Sequence, residues 1–288
     1  MSLPSVFGHW RRCLSLLSLL AGSVLSAATN PPMASEVSGW HMVELDRFAA
    51  PEARQGIAVD DDYLYVIGNQ EIGKYDKRSH ERVAAWSSPE DGPIIHFNAG
   101  IVRDGRLIVA HSNYPEVPMT GSLEFFATKD LAPTGNQSFG LYAGSLTWVE
   151  QRDDVWYVCF AHYANRAAEP NRDPTWTSLV RFDEGWRRTG GWAFPKALYD
   201  HIGGAYTLSG GAFGPGGYLY VTGHDDPEMH ILRFPKQGSV MEWLGTVAIP
   251  VEGQAFAWDP KDPTVFYGIL KRTREVVICR LERGSPDS

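Results

Sequence analysis

Cysteine is scarce: the 288 residues hold three, Cys13, Cys159 and Cys279. So few exclude a disulfide framework, leaving stability to a hydrophobic core that a chain of this length can supply. No apolar run is long enough to span a bilayer as a helix; residues 13–25 form one that falls short. Basic residues are outnumbered, 26 Lys and Arg against 34 Asp and Glu, for a net charge of −8. That surplus argues against nucleic acid or an anionic membrane as partner. A Gly-x-Ser-x-Gly nucleophile elbow, a phosphate-cradling P-loop and a dinucleotide fingerprint are all missing, so no nucleotide cofactor is expected.

The N-terminus reads as a secretory signal. Arg11 and Arg12 precede the apolar run, which ends in Ser26, Ala27 and Ala28. This order predicts cleavage near Ala28 and a secreted or periplasmic protein. The arginine pair partly resembles a twin-arginine signal, but His9 and Trp10 stand where Ser or Thr would be, which favours ordinary secretion. The expected organisation is a signal over 1–28, a linker over 29–39, one domain over 40–283 and a tail over 284–288. Without Arg11 and Arg12 the net charge becomes −10. Cys159 and Cys279 then remain, and their place on predicted strands makes them two buried free thiols.

Short strand signals recur through the rest with a common phase. Five segments open at Gln55, Asn98, Ser145, Ser209 and Gln254, at intervals of 43, 47, 64 and 45 residues. Each holds small and apolar residues and closes at a polar turn. A second apolar strand follows each, at 63–67, 107–110, 155–160, 218–222 and 265–270, and then a third. Three or four strands per 40 to 50 residues indicate an all-β, five-bladed β-propeller. The last repeat lacks an outer strand, while residues 40–48 alternate well and precede the first repeat. They are predicted to close the ring. Six blades would require another in the 64-residue interval, whose stretches 163–176 and 194–208 read as loop.

This pattern resembles the β-propeller superfamily over nearly the whole domain. The stretches 223–228 (Gly-His-Asp-Asp-Pro-Glu) and 253–260 (Gly-Gln-Ala-Phe-Ala-Trp-Asp-Pro) are similar to those of secreted bacterial propellers loosely labelled cycloisomerase. Arabinanase-like propellers place carboxylates at inner-strand starts, as glycoside cleavage requires. Here amides and hydroxyls occupy those starts, which argues against that chemistry.

In propellers, inner-strand starts and second-strand exits share one face, the top. His96, His111, His162, His201 and His224 fall there; His41, His80 and His230 do not. Three histidines from successive blades make His111, His162 and His224 candidate ligands of a divalent transition metal such as zinc, manganese or iron. Some propeller lyases are similar in drawing histidines from separate blades. The competing reading is that these rings simply hydrogen-bond loop carbonyls. Gln55, Asn98, Asn113, Ser145, Ser209, Gln254 and Asp225 are candidate ligand-binding groups, with Tyr114 and Tyr163 as contacts. His96, His201 or Tyr114 would move a proton, and Lys271 would hold an anionic group. Asp225, Asp226 and Glu228 read as a turn rather than a calcium site. Trp148, Phe213 and Trp258 should pack between blades, and Asp60, Arg103, Glu150 and Asp259 should serve as turn or inter-blade charges on the opposite face. The expected function is metal-assisted proton abstraction, lyase or isomerase, on a small polar, carbohydrate-derived or carboxylated substrate, by a monomer. The alternative is a non-catalytic carbohydrate- or protein-binding module.

Overall fold

Strands of two to ten residues pair into five four-stranded antiparallel sheets. The computed structural model describes residues 34–141 and 143–284. The predicted signal, residues 29–33 of the predicted linker and residues 285–288 of the tail lie outside them. Blade one comprises Gly56–Val59, Tyr63–Ile67, Glu71–Asp76 and Arg82–Ser87. Blade two comprises His96–Arg103, Arg106–Ser112, Gly121–Ala127 and Pro133–Gly140. Blade three runs through Ser145–Arg152, Val155–Ala161, Ser178–Phe182 and Arg188–Ala193, and blade four through Gly210–Phe213, Leu219–Thr222, Glu228–Arg233 and Glu242–Ala248. Blade five has Ala257–Trp258, Val265–Leu270 and Glu275–Arg283, completed by the N-terminal strand Trp40–Ala49, which pairs Trp40 with Arg283 and Ala49 with Glu275. The five inner strands touch in sequence, the fifth meeting the first, so the ring is closed. The six-bladed alternative is excluded. The long interval instead carries a short helix, Lys196–Ile202, where loop was expected. Its start is set by Pro195, whose ring fixes φ, and its end by Gly203 at φ +61°.

Burial falls from axis to rim. Gly56–Val59 is buried throughout, whereas the outer strand Arg82–Ser87 is mostly exposed. Glycines let the inner strands approach. A Cβ on Gly56 would lie 2.5 Å from Ala255 Cβ, and one on Gly211 2.5 Å from the Trp148 ring. Trp148 and Trp258 are buried between blades, and the Phe213 ring packs on Tyr157 at 5.1 Å. Cys159 and Cys279 are free and buried, and burial raises both thiols to about 12. On the bottom face, Lys77 of blade one pairs with Asp259 of blade five at 2.6 Å, and Arg103 of blade two with Glu150 of blade three at 3.5 Å. These charges staple neighbouring blades.

Candidate functional site

The top face begins with hydrogen bonds that consume most of the inner-strand amides. Asn98 Nδ2 donates to Leu146 O at 2.8 Å and Ser112 Oγ at 3.3 Å, bridging blades two and three. Gln254 is buried at φ +73°; its N–H donates to Gly223 O at 3.0 Å and its Nε2 to His224 O at 3.2 Å. It positions the 223–224 turn. Asn113 closes its own loop, accepting from Thr120 N and donating to Pro118 O. Gln55 Nε2 donates to Asn69 Oδ1 at 2.8 Å. Ser145 is buried beside Tyr163, and Ser209 N donates to Thr222 O.

Aromatic rings gather in an arc over this floor. Tyr114 lies 5.1 Å from His96 and 5.5 Å from Tyr163, centroid to centroid, with the Arg166 guanidinium 5.5 Å from its own ring. The Tyr114 and Tyr206 hydroxyls meet at 3.3 Å. Tyr206 stacks on His224 at 3.8 Å and 10°. His224 Nδ1 lies 2.6 Å from Asp225 Oδ1, and Lys271 Nζ stands 3.7 Å from the same oxygen. Blades two to five thus contribute to one continuous wall. Its aromatic faces suit the apolar side of a sugar ring, and its two cations suit a carboxylate.

Burial keeps the imidazoles neutral. His96 is lowered to about 4, first by desolvation, then by the nearby His111, His224 and Arg166. His224 is lowered by burial and by Lys271, against the opposing pull of Asp225. Tyr206 is raised by its bond to the Tyr114 hydroxyl, so it remains a phenol.

The expected metal ligands do not converge. His111 Nε2 accepts from Ile95 N at 3.0 Å and its Nδ1 bonds Ser122 Oγ at 3.0 Å, so both nitrogens are spent. His162 Nε2 bonds Ala143 O at 2.8 Å, with Nδ1 3.4 Å from Glu169. His224 faces Tyr206. His201 Nε2 lies 2.6 Å from Glu228 Oε2, so that nitrogen is engaged rather than free to carry a proton. The donors that do converge among the described residues are His201, Glu228 and His230, all within 4.8 Å of one another, and this group could hold a metal ion. The sequence puts His230 at the start of a third strand and off the top face; the available signal is its two-residue spacing from Glu228, which puts both on one face of a strand. Tyr206 and Arg166 carried no sequence signal beyond lying in the two long insertions.

At the other end of the hub a cavity of about 240 Å³ is lined by Arg103, Glu150, Phe213 and Trp258. Its walls are inner-strand residues and the inter-blade ion pair, with no imidazole. Among the described residues, no helix is long and apolar enough to cross a membrane.

No family model matches the chain, and no curated protein matches it. Among solved structures it is similar to a luciferin-regenerating enzyme, with 12% identity, a TM-score of 0.48 and coverage of 88% of this chain and 95% of that one. It is also similar to Kuenenia stuttgartiensis hydrazine synthase, with 14% identity, a TM-score of 0.45 and coverage of 80% and 71%. Likenesses this distant assign no activity.

Proposed function

We propose that the protein is an enzyme that moves a proton on a small carboxylated, carbohydrate-derived molecule in the top-face basin, as a lyase or isomerase. The observation that carries this reading is the Tyr206–His224–Asp225 stack beside the paired tyrosine hydroxyls. Arg166 and Lys271 hold the carboxylate. With Nδ1–H donated to Asp225, His224 Nε2 is free to take the proton from carbon adjacent to a carbonyl. The C–H electron pair moves onto the carbonyl oxygen, and the Tyr114 and Tyr206 hydroxyls donate to it. Asp225 stabilises the imidazolium that forms. Returning the proton to a neighbouring carbon gives an isomer. Passing it instead to a departing β-hydroxyl releases water and leaves an alkene. Neutral His96 orients a substrate hydroxyl. The transition metal expected at His111, His162 and His224 has no part in this step, because both His111 nitrogens and His162 Nε2 bond other partners.

The test is hydrogen exchange. A panel of hexuronates and aldonates is incubated with the protein in D2O and followed by proton NMR. Loss of one C–H signal is expected with at least one panel member, slowed about 100-fold or more by His224→Gln. Absence of exchange across the panel, or exchange indifferent to that substitution, overturns the reading. The committed inner-strand amides favour a second one, a non-catalytic sugar-binding module. It gives line broadening without exchange, retained in the variant.

A further inference from the structure

We propose that His201, Glu228 and His230 form a divalent transition-metal site that pins the two stalks of the basin wall. The site does not depend on the chemistry proposed above. Glu228 and His230 open the third strand of blade four, two residues apart and on one face. His201 comes from the last turn of the helix Lys196–Ile202. Two imidazoles and one carboxylate match zinc or iron(II) chemistry and leave coordination positions for water. Donors around a tetrahedral ion with bonds of about 2.1 Å stand about 3.4 Å apart. The present arrangement brackets that spacing: His201 Nε2 and Glu228 Oε2 are at 2.6 Å, and all three donors fall within 4.8 Å. An ion entering between them needs modest side-chain adjustment only.

The surroundings are built for ligation. His230 Nδ1 bonds Thr246 Oγ1 at 2.9 Å, which fixes the ring and leaves Nε2 for an ion. Thr246 lies directly opposite His230 on the outer strand of the same blade. The Trp243 ring backs both imidazoles at 5.3 and 5.7 Å. His230 is buried while Glu228 is one-third exposed, so the site is closed on one side and open on the other. An ion pair between His201 and Glu228 alone gives no role to the second imidazole beside them. A metal accounts for all three.

Tyr206 lies five positions after His201, through Gly203 and Gly204 at positive φ, and Glu228 lies four positions after His224. An ion would therefore tie together the bases of the two segments whose rings stack at the basin.

The test is titration of the chelator-treated protein with Co²⁺, read by visible d–d absorption, and with Zn²⁺, read by calorimetry and thermal melting. One ion per chain and a raised melting temperature are expected. His201→Gln and Glu228→Gln, both at partly exposed positions and checked for folding by circular dichroism, should abolish that binding. Thr246→Val should weaken it about tenfold, and His80→Gln should leave it unchanged. Absence of a saturable one-ion site, or binding that survives both ligand substitutions in folded protein, overturns the proposal. Metal bound without hydrogen exchange on any sugar acid would sink the catalytic reading and leave this site standing.

Discussion

Glu150 shows how one buried charge sets a pH dependence. Its carboxyl is buried at the bottom of the hub, and Arg103, at 3.5 Å and partly in solvent, offsets only part of that cost. Its pKa rises from 4.5 to about 7. The folded state therefore holds a proton that the unfolded chain has released between these values. The group's contribution is full below pH 4.5 and lost as pH rises through 7. The loss is on the order of 3 kcal/mol. His96 and His111, both lowered to about 4, act in the opposite sense, destabilising the fold as pH drops below the ordinary imidazole range. Glu150→Gln removes only the first effect. In paired denaturant titrations the variant should gain on the wild type from pH 5 to pH 8; a constant difference would show that Glu150 titrates normally. Sequence placed Glu150 correctly as an inter-blade charge but misjudged other polar residues. Position along a strand gives the height of His111 and His162, not the direction of the ring. The direction depends on partners such as Ile95, Ser122 and Ala143, which only folding brings near.

Among the elements, the inner strands were legible because a propeller hub demands small residues. Gly56, Gly210 and Gly211 sit where neighbouring backbones and rings leave no room for a methyl group. Adding one should wedge adjacent blades apart. Gly56→Ala and Gly211→Ala are each expected to destabilise by about 1–3 kcal/mol. Gly185→Ala is the control, because its added Cβ would meet only Asp183 Oδ1, at 3.4 Å. Thermal melts that rank all three alike would disprove close packing at the axis. Blades could also be counted from the period-two pattern and from the outer strand missing in the last repeat. The helix Lys196–Ile202 could not. It spans only two turns, and Leu198 and Tyr199 pack into a core assembled from blades three and four. The metal-competent group inherits that obscurity, since His201 reaches Glu228 and His230 only through this helix.

For the whole molecule, closure is the property on which the basin depends, because its wall draws on four blades and a ring that opens would spread them. The closing strand Trp40–Ala49 joins blade five by a long antiparallel ladder, interrupted by a bulge between Glu44 and Asp46. Trp40 stacks on Tyr220 of blade four at 6.2 Å, and Phe48 on His80 of blade one at 4.3 Å, so the strand grips both neighbours. Its outward edge carries Glu44 paired with Arg47, and charge and bulge together discourage further pairing. Deleting residues 34–49 removes this protection. The strand Glu275–Arg283 would then present unpaired N–H and C=O groups, and the buried Val277, Cys279 and Leu281 would lose part of their cover. The shortened protein is expected to elute as large assemblies in size-exclusion chromatography and to lose its single cooperative melt. A monomer that still melts cooperatively would mean that the other four blades hold the ring without the strand, and that the basin's geometry does not require closure.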